Sequence, residues 1–158
     1  MNILELNPSL NSFSNQQLEE ICELIFEANK EYYSLFSNRF SNVVSNIKMQ
    51  LSEKETEVFN GKVLIREYDI LGVYFWYPLE EMKARQGAGL KMLLSTYELN
   101  EDIFKQIKAF RKGIKDITLP SLYLSMIAVS KRFRGTGAGK LLLNDFEVFA
   151  EKSGFNNT

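Results

Sequence analysis

The chain has 158 residues, 45% of them apolar and 25% charged, which is enough to bury one core and too apolar for a disordered chain. Its 19 basic and 20 acidic residues leave a net charge of −1, without the basic excess of a nucleic-acid binder. A single cysteine, Cys22, and no histidine exclude an intrachain disulfide and a zinc site of the Cys/His type, so no metal is expected.

Residues 2–6 alternate polar and apolar and predict a short strand stopped by Pro8. No basic segment followed by an apolar one opens the chain, and no apolar run approaches about 18 residues. Neither a membrane span nor a membrane partner is therefore expected, and with the lone thiol this predicts a cytoplasmic protein. Ser14 and Gln17 form a capping box. After it Leu18, Ile21, Leu24, Ile25, Ala28 and Tyr32 recur at helical spacing, predicting a helix over 15–35. Phe40, Val43, Val44, Ile47 and Leu51 predict a second helix. Asn60-Gly61 is a turn signal. Residues 62–68 and 70–77, rich in β-branched and aromatic side chains, predict a hairpin turning at Tyr68-Asp69 and closed by Pro78.

Residues 79–120 form a long connection with two predicted helices, over 88–97 and 100–111. Ile103, Ile107 and Phe110 share a face of the second, and Gly113 ends it. Residues 122–129 are a nearly continuous apolar run, as in a strand buried on both faces. A helix follows over 137–152, with Leu141, Leu142, Phe146, Phe149 and Ala150 placed to pack on the sheet. No repeat, low-complexity tract or linker divides the chain. It reads as one mixed α/β domain over 1–158 with a helical insertion at about 79–120.

Between the last strand and helix stands Phe-Arg-Gly-Thr-Gly-Ala-Gly-Lys, residues 133–140. Glycines allow close backbone approach, and a helix N-terminus supplies unpaired N–H groups and partial positive charge, so this is a phosphate-binding layout. Arg132, Arg134 and Lys140 add charge. GxxxxGK[ST] fails, because the first glycine would fall at Arg134 and Leu141 replaces the Ser/Thr. GxGxxG fails as well: from Gly135 its third glycine would fall at Lys140, and from Gly137 at Leu142.

Arg-x-x-Gly-x-Gly fits, as Arg134, Gly137 and Gly139. It resembles motif A of the GNAT superfamily of N-acetyltransferases. Ile127 to Val129 match the end of the family's central strand, and Leu141 to Leu143 the apolar start of its next helix. The element order is also similar to the family's. The resemblance implies a GNAT-like acyl-CoA N-acyltransferase fold and direct acetyl transfer from acetyl-CoA to a primary amine (EC 2.3.1 class), the acceptor being a small molecule or a peptide.

It further implies that the cofactor pyrophosphate is held by Arg134, Gly135, Thr136, Gly137, Ala138, Gly139 and Lys140. The pantetheine arm pairs with the backbones of Ile127, Ala128 and Val129, and an N–H near Ile127 or Val129 polarises the thioester carbonyl. No catalytic side chain is assigned. Glu67, Asp69, Glu80 and Glu81 are candidate bases that would otherwise be solvated carboxylates. Tyr123 and Ser125, with Tyr32 and Tyr33, are candidates for the acceptor pocket that would otherwise be ordinary packing.

The family normally continues past motif A with a strand, a helix carrying a tyrosine acid, and a final hairpin. The sequence stops at Thr158, so the C-terminal strands are expected to be lacking. That predicts an unpaired edge on the central strand and self-association into a homo-oligomer. A non-catalytic module that binds CoA or a protein partner is the alternative reading.

Overall fold

A four-stranded antiparallel sheet in the order β1-β2-β3-β4 organises the computed structural model, which describes residues 1–98, 101–110 and 120–155. β1 (Asn2–Glu5) pairs with β2 (Gly61–Arg66), from Asn2↔Ile65 to Glu5↔Lys62. β1 ends before Pro8 because a helical turn, α1 (Leu6–Ser9), takes over. Proline is tolerated there, since N–H groups of a first turn have no helical partner anyway.

α2 (Asn15–Ala28) opens on the predicted capping box. Ser14 Oγ accepts from Gln17 N at 3.2 Å, and Ser14 N donates to Gln17 Oε1 at 2.9 Å. The helix does not run to residue 35. Asn29 leaves helical geometry (φ −118°, ψ 35°), and α3 (Lys30–Ser34) resumes beyond it. Asparagine competes for its own backbone and breaks helices readily. The apolar spacing hid the break because both pieces bury side chains in the same core, Ile25 and Phe26 on one and Tyr33 on the other. α4 (Phe40–Ser52) buries Val43, Ile47 and Leu51, as predicted.

β2 and β3 (Asp69–Pro78) form the predicted hairpin, but its turn is Glu67-Tyr68, since Arg66↔Asp69 is the last pair. Glu67 takes the positive φ, 57°. α5 (Met82–Leu94) starts well before the predicted 88 and stops short of 97. Gly87 and Gly89 lower its intrinsic propensity. Arg85 compensates from a nearly buried position, donating to Thr56 O at 2.8 Å and Lys54 O at 3.1 Å and pairing with Glu81 at 2.6 Å. α6 (Glu101–Phe110) buries Ile107. The predicted ends of that helix at Asn100 and Arg111, and the stop at Gly113, lie outside the described residues.

β4 (Leu122–Val129) and α7 (Ala138–Lys152) match their predicted spans closely. β4 is not buried on both faces as its composition suggested. Among the described residues it pairs only with β3, at the rim of the sheet, and Ile127 is 37% exposed. Two cores flank the sheet. Ile21, Ile25, Val43 and Ile47 pack with Val73, Phe75 and Met126 on one face. Leu142, Phe146 and Ala150 of α7 pack with Leu64, Tyr74 and Trp76 on the other. Leu141, predicted to join this second core, is 44% exposed, and Ala138 packs instead. Asp145 ties α7 to the sheet, accepting from Tyr74 Oη at 2.6 Å and pairing with Lys62 Nζ at 3.0 Å.

Cys22 lies in the first core with no exposed surface, and burial raises its thiol pKa to about 12. The folded thiol holds its proton more tightly than an unfolded one. Its contribution to stability is therefore complete below pH 9 and is lost as pH rises toward about 12. At pH 8 the folded thiolate fraction is on the order of one in ten thousand. A disulfide reagent at that pH should label native protein at least ~100-fold more slowly than protein in denaturant. Equal rates would place Cys22 outside the core.

Candidate cofactor cleft and acceptor pocket

Which peptide groups of β4 face away from β3 follows from its register. Ser130 N donates to Leu71 O at 2.9 Å, which turns the Ser130 peptide toward β3. Antiparallel ladders alternate. Ala128, opposite Val73, and Met126, opposite Phe75, therefore also face β3. The N–H and C=O groups of Ile127 and Val129 face outward. Arg134 Nε, reaching Val129 O at 3.5 Å from that side, agrees with this. Of the three residues whose backbones were expected to receive pantetheine, Ala128 is thus turned the wrong way.

A bulge interrupts the ladder just upstream. Phe75 pairs with Met126 and Trp76 with Leu124, leaving Ser125 without a partner on β3. An extra residue kinks a strand and switches the faces of the side chains beyond it. Leu124 accordingly packs with the α7 core, whereas Met126 packs with the α2/α4 core.

Past Val129 the chain makes a short 3₁₀ turn, Lys131–Phe133, and enters the glycine loop. Gly135 and Gly137 have φ of +78° and +88°, which side-chain-bearing residues rarely adopt. A Cβ built on either meets nothing within 4 Å, so the space above the backbone is open. Gly137 caps α7, and the first hydrogen bond into the helix is from Leu141 N to Gly137 O, 3.1 Å. Among the described residues no partner is seen for the N–H groups of Gly137, Ala138, Gly139 and Lys140. Thr136 differs from expectation: its N–H and Oγ1 both turn back to Phe133 O, at 3.4 and 2.7 Å. A concave set of open amides at a helix N-terminus, with room above it, suits a diphosphate.

A cleft of ≈ 470 Å³ leads to this loop, within the usual range for small-molecule sites. Ile127, Ala128, Val129 and Arg134 line it. Gly135 to Lys140 do not line it but continue from its end. The opposite wall is α2, through Glu20, Glu23, Leu24, Glu27 and Ala28. The wall charges partly cancel. Lys131 bonds Glu27 at 3.1 Å and, with Lys30 at 3.7 Å, holds its carboxyl below the ordinary range. Arg132 is spent on Asp69 at 3.1 Å. Arg134 has no carboxylate partner among the described residues.

A second, smaller cavity of ≈ 30 Å³ lies against the bulge, lined in part by Asn29, Tyr32, Tyr33, Glu57, Ser125 and Met126. Ser125, Tyr32 and Tyr33, expected near an acceptor pocket, all line this small cavity. The four carboxylates singled out from sequence line neither cavity. Glu67 sits at the hairpin turn, Asp69 binds Arg132, Glu81 binds Arg85, and Glu80 is exposed. Tyr123 stacks obliquely on Tyr77, ring centroids 5.3 Å apart. Glu57 was missed. It stands in a run of alternating acidic residues after α4, and nothing local separates it from Glu53 or Glu55.

A helix-covered antiparallel sheet whose bulged edge strand runs through a glycine turn into a helix is a fold shared with solved acetyltransferases. One described as an acetyltransferase superposes with a TM-score of 0.67 at 19% identity, over 98% of this chain and 77% of that one. An N-acetyltransferase from Staphylococcus aureus Mu50 gives 0.58 at 17% identity, covering 85% and 72%. An aminoglycoside antibiotic 6'-N-acetyltransferase from Acinetobacter haemolyticus gives 0.51 at 15% identity, covering 99% and 76%. No family sequence profile and no curated protein sequence matches the chain. No helix among the described residues is long and apolar enough to cross a membrane, and no cluster of three metal-ligating side chains occurs among them.

Proposed function

We propose that the chain is an N-acetyltransferase that moves an acetyl group from acetyl-CoA to a primary amine. The observation that carries this reading is the line of outward peptide groups at Ile127 and Val129, which runs directly into the open amides of Gly137 to Lys140. A diphosphate at the glycine turn and an extended arm along the strand edge fit one ligand of that shape. Acetyl-CoA supplies an activated thioester. The chain's own part is to hold the anionic end on backbone amides and the α7 dipole, to align the arm by strand-like pairing, and to donate an outward N–H to the carbonyl oxygen.

Thermal denaturation with CoA and acetyl-CoA tests it. A ligand that binds only folded protein at 100 times its Kd adds about 2.7 kcal/mol, which for a chain of this size is a rise of roughly 5–10 °C. No shift at millimolar cofactor would defeat the proposal. Release of free thiol from acetyl-CoA across an amine panel tests turnover. Binding without any release would favour a non-catalytic CoA module.

Arg134→Ala should weaken CoA binding about two- to fivefold, the size of an exposed ion pair, and should flatten the dependence on salt. Calorimetry at two ionic strengths reads both. An unchanged salt slope would remove Arg134 from the phosphate site.

A further inference from the structure

We propose that Glu27 and Lys131 form a latch across the cleft, and that the anionic cofactor opens it by taking Lys131 from Glu27. The inference rests on the acetyl-CoA reading and adds to it a regulated entry. The two partners stand on opposite walls. Glu27 belongs to the last turn of α2, and Lys131 opens the 3₁₀ turn between β4 and the glycine loop; both line the cleft. Lys131 Nζ lies 3.1 Å from Glu27 Oε2. This bond ties the α2 wall to the segment that carries the loop, across the space assigned to the cofactor.

Glu27 has a second cation to fall back on. Its other oxygen, Oε1, has Lys30 Nζ at 3.7 Å. When Lys131 leaves, the carboxylate is therefore not stranded. Both lysines hold it below the ordinary carboxylate range, the Lys131 hydrogen bond first. Lys131 is free to move as well: its side chain is 69% exposed and that of Glu27 30%. Exposed side chains change rotamer within nanoseconds, so the pair can exchange partners without unfolding anything. The stem of Lys131 is rooted three residues before Arg134, and an ammonium that lets go of Glu27 stays beside the loop.

Charge gives the exchange its direction. The α2 wall presents Glu20, Glu23 and Glu27, so an entering diphosphate meets three carboxylates. The lining cations are Lys131, Arg132 and Arg134. Arg132 is held by Asp69 at 3.1 Å, and Lys131 is masked by Glu27. Recruiting Lys131 means breaking one exposed ion pair, a factor of about two to five in affinity. The coupling is reciprocal: an anion at the loop unties α2, and a closed latch holds the anion off to the same extent.

The test is a double-mutant cycle on CoA affinity, read by calorimetry at low ionic strength. Glu23→Gln, one turn earlier on the same wall, removes a repelling carboxylate without touching the latch, and measures that repulsion alone. Glu27→Gln should tighten CoA about two- to fivefold more than Glu23→Gln does, because Lys131 then has no partner to leave. In the Lys131→Ala background the extra gain should vanish, leaving Glu27→Gln and Glu23→Gln alike. An extra gain that persists without Lys131, or is absent with it, overturns the proposal.

Inorganic pyrophosphate gives a reading without the cofactor's arm, with sodium chloride at matched ionic strength as the blank. In ¹⁵N-labelled wild type it should move the amide signal of Glu27 together with those of Gly137 to Lys140. In Lys131→Ala the loop signals should still move and that of Glu27 should stay fixed. Loop signals that move in wild type while Glu27 stays fixed overturn the latch and leave the cofactor assignment standing. Loop signals that stay fixed bring down the cofactor assignment first, and the latch with it.

Discussion

Gly137→Val is expected to lower CoA affinity at least ~100-fold, equivalent to about 2.8 kcal/mol or more, while leaving a folded protein. Two effects act together. Gly137 has φ +88°, where a β-branched residue is strained by about 1–3 kcal/mol. Its Cβ meets no protein atom within 4 Å, so the chain has room for the valine, and the space it fills is that assigned to the diphosphate. Stability and binding separate with a matched control. Gly154 has φ +83° and equally open surroundings, but it closes the far end of α7, where Phe155 N bonds Ala150 O and Gly154 N bonds Glu151 O. Gly154→Val should suffer a similar fall in melting temperature with unchanged CoA affinity. If both variants bind CoA like wild type, the loop does not hold the diphosphate.

Phe146→Ala is expected to destabilise the protein by about 3–5 kcal/mol and lower its melting temperature by roughly 6–20 °C. Phe146 is 2% exposed and meets the Tyr74 ring edge-on at 5.8 Å. It fixes α7 on the sheet one helical turn from Leu142, and the α7 N-terminus carries the loop. Truncation leaves a cavity that the two-sided core collapses only in part. Saturating CoA should recover about 2–3 kcal/mol of the loss, because the ligand binds only folded chain. Denaturant titration with and without CoA reads both numbers. A loss under 1 kcal/mol would mean that α7 does not depend on this contact.

The loop and its helix were legible in the sequence because their chemistry is local. Arg134, Gly137 and Gly139 carry the spacing, and the structure gives positive φ at Gly135 and Gly137. The capping box at Ser14 and the apolar periodicity of α4 are equally short-range. What was not legible is assembled from distant segments. Asn29, Glu57 and Ser125 meet only through the sheet and the helices on it. The bulge at Ser125 is a mismatch between two strands and leaves no mark on one of them. The outward direction of Ile127 and Val129 depends on the β3 register, so the sequence could not separate their peptide groups from that of Ala128, which faces β3. α5 was started too late because Gly87 and Gly89 suppress propensity, while the buried Arg85 that anchors it reads as a surface residue.

Titration of ¹⁵N-labelled protein with CoA reads the loop amides directly. The signals of Gly137, Ala138, Gly139 and Lys140 should move most and saturate together with those of Ile127 and Val129, while Ala128, bonded to β3, moves less. If those amides stay fixed at millimolar CoA, or the largest changes fall on another surface, the anion cradle at the start of α7 does not exist.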